Sequence, residues 1–363
     1  MDFNFTPDQD ALRELVRKIL ADHVTDDRLK QLRAANEWWD KRAWEALAQS
    51  SVFGLAVPEA FGGSGLGLIE IGIVCEELGR AVAPVPLLPS VVLGGLAIAQ
   101  FGSAAQKQRL LPGVAAGTTI LTAALLELGG SEPWEPRMTA RREGTSWRLD
   151  GVKIAVPAAD LAAAMLVPAR TDAGVAVFVV DRQGNGVTVE PQVLTNGEPH
   201  GRVTLAGAVG EELAGVEVAR WIAERATIAY CALQVGVCDA ALRMTAAYTT
   251  ERKQFDRPIA TFQAVQQRAA DAFIDLECIR ISTWEAIYLL ASAEEASEQV
   301  RFAKFWASEA GQRVVVAAQH LHGGIGVDID YPLHRYFWWA KYVELLFGPG
   351  SEQLAKIGAT LAA

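Results

Sequence analysis

Thr250-Glu-Arg-Lys-Gln-Phe-Asp-Arg-Pro-Ile-Ala-Thr-Phe-Gln-Ala-Val-Gln-Gln-Arg268 is the stretch from which the rest of the chain can be read. A helix ends near Glu251, Pro258 marks a short loop, and Thr261 is placed to cap the next helix. An arginine at such a junction, beside the free backbone donors of a helix start, suits a diphosphate. The plainer alternative is a solvated turn in which Glu251 and Asp256 neutralise the bases. Some sixty residues on comes His320-Leu-His-Gly-Gly-Ile-Gly-Val327, followed by Asp328-Ile-Asp-Tyr-Pro-Leu-His-Arg335. Here a helix runs into paired glycines, which permit a left-handed C-cap and close approach of a ligand to the backbone. His320 and His322 stand two apart, where helical side chains diverge, and no third ligand is well spaced, so no metal site is expected.

Outward from these segments, long helices are expected over roughly 217–250, 257–293, 297–320 and 333–346, with a helical tail from Ser351. Such lengths without internal breakers suggest an antiparallel bundle that also supplies an oligomer interface. Before them, residues 119 to 216 carry β-branched or alternating runs: Thr118-Thr-Ile-Leu-Thr, Ser146-Trp-Arg-Leu, Val175-Ala-Val-Phe-Val-Val and Gly186-Val-Thr-Val-Glu. Asp150-Gly151 and Asn196-Gly197 read as turns between them, giving a small antiparallel β domain. Residues 1–118 read as helices, the first capped by Thr6 with Pro7 at its first position, and others near 41–51, 68–80, 89–101 and 104–116. Phe61-Gly-Gly-Ser-Gly-Leu-Gly67 imitates a dinucleotide loop, but Pro58 interrupts any preceding strand, so it reads as a helix-joining loop. Three domains result: 1–118 helical, 119–216 β, and 217–363 a helical bundle.

Composition narrows the function. At 363 residues, 51% hydrophobic and 21% charged, the chain is ordinary globular material. A formal charge of −10 without a Lys/Arg block argues against nucleic acid or an anionic membrane as partner. The uncharged run Ala81–Gly102 is crowded by Pro84, Pro86 and Pro89, so it reads as a loop and a buried helix rather than a membrane span. Met1-Asp-Phe-Asn-Phe-Thr-Pro-Asp has no basic n-region and is not a signal peptide. Cys75, Cys231, Cys238 and Cys278 are unpaired in pattern and sit in apolar contexts, as buried thiols of a reducing cytosol do.

The two segments together, in this order, resemble the acyl-CoA dehydrogenase family. Its R-x-Q-F-x-x-P-I-x-x-F-Q-x-x-Q pattern is matched at Arg252, Gln254, Phe255, Pro258, Ile259, Phe262, Gln263 and Gln266, and its glycine loop at Gly323, Gly324 and Gly326. Leu55-Ala-Val-Pro-Glu-Ala-Phe-Gly-Gly-Ser-Gly-Leu-Gly, Glu76-Glu-Leu-Gly-Arg80 and Ala105-Gln-Lys-Gln-Arg-Leu-Leu-Pro112 fit the same family. The resemblance implies an α+β fold with N-terminal helices, a middle β domain and a C-terminal four-helix bundle. It also implies FAD as cofactor and an acyl-CoA substrate. In the family both segments reach across a dimer interface to the neighbour's FAD, which would implicate Arg252, Gln254, Phe255, Phe262, Gln263, His320, Gly323 and Gly324; His320 takes a place usually held by Gln.

The expected chemistry is missing. The family's base is a glutamate in a Tyr-Glu-Gly-Thr-like motif after the last bundle helix; Phe347-Gly348-Pro349-Gly350 stands there, which puts inert Gly348 at the base position. The alternative position on the first bundle helix falls at Ala226. Glu224 and Glu344 are the weak remaining candidates, Glu224 on another helical face and Glu344 as a surface pair with Lys341. A Thr-Glu-Pro…Gly-Ser-Asp run becomes Leu125-Leu-Glu-Leu-Gly-Gly-Ser-Glu132, and the Trp-Ile-Thr run against the flavin is replaced after Lys153 by Ile154-Ala-Val-Pro157. Gly350 and Glu352 replace the Thr and Gln that touch the subunit's own FAD.

Three readings follow. The first is a cytoplasmic, non-catalytic subunit of a heteromeric, α2β2 acyl-CoA dehydrogenase. In it a second subunit carries the glutamate and most of the FAD site, and an electron-acceptor flavoprotein takes the electrons. By resemblance to actinobacterial steroid side-chain dehydrogenases, its substrate would be a bulky acyl-CoA; His334-Arg-Tyr-Phe337 and Asp256 carry that likeness. The second is an active homotetramer with Glu224 as a relocated base. The third is a scaffold that stabilises a partner dehydrogenase without touching FAD.

Overall fold

A computed structural model of the chain describes residues 4–130 and 132–362. The signal-peptide reading of the first residues and the place of Ser131 in the 125–132 run therefore lie partly outside the described residues.

Six α-helices come first: α1 (Pro7–His23), α2 (Asp26–Ala34), α3 (Lys41–Gln49), α4 (Leu68–Ala81), α5 (Leu96–Phe101) and α6 (Ala104–Ala115). Seven strands follow: β1 (Leu121–Ala123), β2 (Thr139–Glu143), β3 (Ser146–Pro157), β4 (Ala164–Thr171), β5 (Gly174–Asp181), β6 (Val187–Val193) and β7 (Pro199–Gly215). The chain then forms α7 (Val216–Glu251), a hairpin of β8 (Lys253–Gln254) and β9 (Arg257–Pro258), α8 (Gln263–Ala291), α9 (Ser297–His322), α10 (Leu333–Leu345) and α11 (Gly350–Leu361). The mixed α+β class and the helix–sheet–helix order are those expected.

Thr6 caps α1 in a capping box with Gln9, so two amides of that helix start, those of Thr6 and Gln9, are satisfied by each other's side chains. Ser103 and Gln106 repeat the device at α6. Several local expectations are corrected. Thr261 does not cap α8: its hydroxyl donates to the Pro258 carbonyl, and the helix starts at Gln263 behind Phe262. The buried helix expected over 89–101 is a π-helix (Leu88–Gly95) running into α5. Asp150-Gly151 is no turn but lies inside β3, paired with Ala206 and Leu205 of β7 just past a register shift that leaves Gly207 of β7 unpaired. The β domain is not purely antiparallel either, since β4 pairs in parallel with β1 and β2.

Two compact units are formed. One comprises residues 30–71 and 84–226. In it β4, β2, β3, β7 and β5 pair in turn, and β5 returns to β4, closing the sheet on itself; β1 adds to β4 and β6 to β7. Closure leaves few free edges. Leu149, Met165, Phe178, Val203 and Leu205 fill the interior.

The other unit comprises residues 1–29, 72–83 and 227–363. Within it α4 and α7 cross backbone to backbone: a β-carbon on Gly79 would lie 1.9 Å from the Leu233 carbonyl oxygen, and one on Gly236 1.9 Å from that of Glu76. Only glycine at both positions allows that approach. A charged knot beside the crossing joins Glu76 and Glu77 of α4 and Asp239 of α7 to Arg17, Arg80, Arg243 and Arg280. Cys75, Cys231 and Cys238 are buried free thiols and Cys278 is half-buried. Among the described residues no helix is long and apolar enough to cross a membrane.

Candidate cofactor-facing site

The arginine segment is a hairpin, which its sequence did not announce. Lys253 pairs with Pro258 and Gln254 with Arg257, and the two residues between them, Phe255 and Asp256, have φ of 52° and 62°. Positive φ at both positions defines a type I′ turn, normally built from Asn and Gly. Phe255 is 87% exposed at the tip, its ring edge-on to Phe262 at 6.2 Å. The Arg257 guanidinium lies 4.2 Å over the Phe262 ring and so fixes the base of the hairpin. Arg252 closes α7, its amide donating to the Tyr248 carbonyl at 2.8 Å and its carbonyl accepting from Ile259 at 2.8 Å. Its side chain is exposed, as are those of Gln254 and Gln263.

The glycine loop begins where α9 ends. Gly323 has φ 65°, and a β-carbon on either Gly323 or Gly324 would meet nothing within 4 Å. These glycines therefore front open space. His320 is exposed and His322 buried, the divergence expected for residues two apart on a helix. The buried ring of His322 lies 4.4 Å from that of Tyr248 and nearly parallel to it, which joins the end of α7 to the end of α9. All the retained segments thus belong to one corner of one unit, with their polar and glycine surfaces turned outward. Sequence reasoning missed the joint because it weighed His322 only as a metal ligand.

The turn after α10 is different. Gly348 has φ 91°, and a β-carbon there would lie 2.8 Å from Glu352 Cδ and Oε1 and 3.0 Å from Gln353 Nε2. The side chain this turn presents is the preceding one: Phe347, at φ 57°, packs beside Tyr230 with ring centroids 6.0 Å apart. Gln353 donates to the carbonyls of Phe347 (2.9 Å) and Gly348 (3.3 Å). Lys304, almost wholly buried, donates to Ser308 Oγ at 2.6 Å and to the carbonyls of Val343 and Glu344 at 2.9 and 3.1 Å. A cation there complements the C-terminal end of α10, while burial lowers its pKa to about 8. The turn is held from two sides by the chain's own side chains, and Glu352 is paired with Lys356 at 2.7 Å. Glu344 bonds Lys341 at 2.6 Å in a half-buried pair, where an exposed one was expected. Ala226 is fully buried and Glu224 half-buried.

In the β domain, Lys153 is fully buried and its Nζ lies 2.6 Å from Glu127 Oε1. Glu127 also accepts from the amides of Arg137 (2.7 Å) and Met138 (3.1 Å). Burial alone would raise the Glu127 carboxyl; Lys153 and the two amides outweigh it and hold the group below the usual carboxylate range. After Lys153 the strand carries Ala155 at φ 49°, its amide bound to Gln192 Oε1 at 2.7 Å. No aromatic or hydroxyl side chain occupies 154–157. These residues do not fit a flavin of the chain's own: the ring-facing stretch is aliphatic, and a carboxylate stands at 352.

The fold and these segments define the class. Residues 6–118 match the acyl-CoA dehydrogenase N-terminal domain and residues 214–362 the acyl-CoA dehydrogenase C-terminal domain. The chain belongs to the acyl-CoA dehydrogenase family of flavoprotein oxidoreductases. It is 38% identical over 373 residues to acyl-CoA dehydrogenase FadE27 of Mycobacterium tuberculosis, covering 100% of this chain and 99% of that protein. Among solved structures it is similar to a chain of the ChsE4-ChsE5 complex from Mycobacterium tuberculosis, with TM-score 0.95, 38% identity, and coverage of 100% and 99%. It is also similar to a variant of the Tcur3481-Tcur3483 steroid acyl-CoA dehydrogenase, with TM-score 0.93, 41% identity and 98% of each chain covered.

Proposed function

We propose that this chain is the non-catalytic subunit of a heteromeric acyl-CoA dehydrogenase, completing an FAD site held mainly by a second, catalytic subunit. The observation that carries this reading is an asymmetry. Positions 226 and 348, where a base would stand, bear no acid, and the turn at 348 is filled by Glu352 and Gln353. The hairpin and the glycine loop, by contrast, keep the family's residues and face outward. FAD, when bound in the complex, would supply the hydride-accepting chemistry, and removal of the α-proton of the thioester would fall to a carboxylate of the catalytic subunit. The work of this chain is to bind and orient. Arg252 supplies a charged fork for diphosphate oxygens, and Phe255 and Phe262 present apolar faces. Gln254, Gln263 and His320 offer hydrogen bonds, and Gly323 and Gly324 let the ligand reach the backbone.

Two of the similar solved structures carry two-component names, Tcur3481-Tcur3483 and ChsE4-ChsE5, and the first is described as a steroid enzyme. These names support a heteromer acting on a steroid side-chain or other bulky acyl-CoA; our reading makes it an α2β2 assembly of the cytoplasm with an electron-transferring flavoprotein as acceptor. Such an assembly would carry two FADs. Co-expression of this chain with a catalytic acyl-CoA dehydrogenase chain, followed by counting FAD per tetramer, tests the reading. Two FADs and activity only in the complex support it. A yellow, thioester-reducible protein from this chain alone would overturn it in favour of a relocated base such as Glu224, and FAD affinity indifferent to this chain would leave only a scaffold.

A further inference from the structure

The Tyr248–His322 contact has a third member. His322 Nδ1 faces the Ala318 carbonyl at 2.8 Å, and His322 Nε2 faces the Tyr331 hydroxyl at 3.0 Å. A carbonyl can only accept, so Nδ1 carries the proton and Nε2 is the acceptor; Tyr331 donates to it. Both ring nitrogens are thereby used by neutral partners, and burial favours the neutral imidazole. One face of the ring is covered by Tyr248 at 4.4 Å with an 18° tilt. Three separate stretches of chain meet on this one side chain.

Each of them leads directly to a residue assigned above to the cofactor. Tyr248 accepts the last helical hydrogen bond of α7 from Arg252. His322 is followed at once by Gly323, which leaves the helix at φ 65°. Tyr331 closes the far end of the loop that Gly323 opens, its own amide bonded to the Asp328 carbonyl at 3.2 Å. Hairpin and glycine loop are otherwise exposed and lightly held; a displacement of about 1 Å between them would misplace the arginine relative to the backbone donors.

We propose that His322 is a positioning residue. It holds the arginine hairpin and the glycine loop at the fixed separation needed to engage one cofactor, acting through Tyr248 on one side and Tyr331 on the other. The inference rests on the proposed FAD role of Arg252 and deepens it. His322 itself touches no ligand; its neutral Nδ1–H tautomer is what makes the joint, because it alone satisfies a carbonyl and a hydroxyl donor together.

The test is FAD affinity of the co-expressed complex, measured beside thermal stability, for Tyr331→Phe, His322→Leu and His322→Gln, with Arg252→Ala as control. Tyr331→Phe deletes one partly exposed oxygen and leaves the fold intact. It should weaken FAD about threefold to tenfold, the worth of one hydrogen bond. His322→Leu should weaken it at least as much, and His322→Gln, which keeps an acceptor for Tyr331, should recover most of the loss. In the Arg252→Ala background Tyr331→Phe should lose most of its effect, since coupled residues are not additive. Wild-type affinity in both Tyr331→Phe and His322→Leu, with Arg252→Ala weakened, sinks the positioning role and leaves the FAD reading standing. Equal losses for Leu and Gln, or strict additivity with Arg252→Ala, reduce His322 to a core histidine and also sink it. No effect of Arg252→Ala removes both, because nothing would remain to be positioned.

Discussion

Two phenylalanines sit in the same disfavoured backbone conformation with opposite surroundings. Phe347, at φ 57°, is half-buried beside Tyr230, in a turn clamped by Gln353 and Lys304. Phe255, at φ 52°, is 87% exposed on a two-residue turn whose other member, Asp256, is also left-handed. A left-handed non-glycine residue costs on the order of 1–2 kcal/mol. At Phe347 the chain's own packing offsets the cost. At Phe255 the pairing of Lys253 with Pro258 and Gln254 with Arg257 holds the backbone, while the ring, beyond its edge contact to Phe262, is left to solvent. One region is packed by its own side chains, and the other presents an exposed aromatic tip; the proposed function assigns the first the missing base and the second the contact with a neighbour.

The largest expected effect lies away from both turns, in the β domain, where a second family position is filled by the chain's own buried ion pair. Lys153→Ala strands the Glu127 carboxylate in the β domain with two amides and no cation. Breaking a buried pair in this way costs about 3–5 kcal/mol, and urea unfolding should show it. The pH dependence has a definite sign. Glu127 titrates below its unfolded value, near 4.3, so its contribution is present above that pH and is lost as pH falls through its lower folded value. Wild-type and Lys153→Ala stabilities should therefore converge under acid conditions. A loss below about 1 kcal/mol at neutral pH would mean the pair contributes little to the β domain.

Arg252→Ala tests the open side. A charge-assisted hydrogen bond to a diphosphate contributes roughly 1.5–3 kcal/mol, so FAD affinity of the complex should fall at least tenfold. The thermal stability of the unit should barely move, because the side chain is exposed. Unchanged FAD affinity would make the hairpin a plain surface turn and erase the contrast with 346–350.

What the sequence disclosed differs between these regions for physical reasons. Helix periodicity and the Thr6 and Ser103 caps are local signals, and they placed most helices within a residue or two. Strand β2, Thr139-Ala-Arg-Arg-Glu143, was missed because four of its five residues are exposed and it lacks an apolar run. Strand β4 contains Pro168, which argues against a paired strand, yet it pairs with β5 throughout. The hairpin at 253–258 was invisible because Phe-Asp is a poor dipeptide for a type I′ turn. The absence of an acid at 226 and 348 was legible residue by residue. That Lys153 is locked to Glu127, and that His322 joins two distant segments, depends on contacts between residues 26 and 74 positions apart, as no local pattern reports.

A smaller effect is expected at Gly348. Gly348→Ala forces a β-carbon into a backbone of φ 91° and within 2.8 Å of Glu352, which should cost roughly 1–2 kcal/mol. Gly348→Glu should cost at least as much and leave FAD stoichiometry and turnover per tetramer near wild type. A base accelerates nothing without a flavin and thioester aligned to it. Doubled turnover with four FADs per tetramer would show that the missing acid alone silences this chain.

The smallest effect, close to none, is expected when the remaining acids are neutralised. Glu344 already bonds Lys341 at 2.6 Å, and Glu224 lies two positions from Ala226, on another face of α7. A catalytic base contributes about a hundredfold to ten-thousandfold to the rate, whereas an exposed or half-exposed ion pair contributes at most about 1 kcal/mol to stability. Glu224→Gln and Glu344→Gln should therefore leave kcat of the complex within a few-fold of wild type, with only slight shifts in melting temperature. If the proposed non-catalytic role holds, both carboxylates are structural. A hundredfold fall in kcat at either residue, with FAD still bound, would mean the base had moved along the helix, and the chain would then be an active dehydrogenase with an unusual acid.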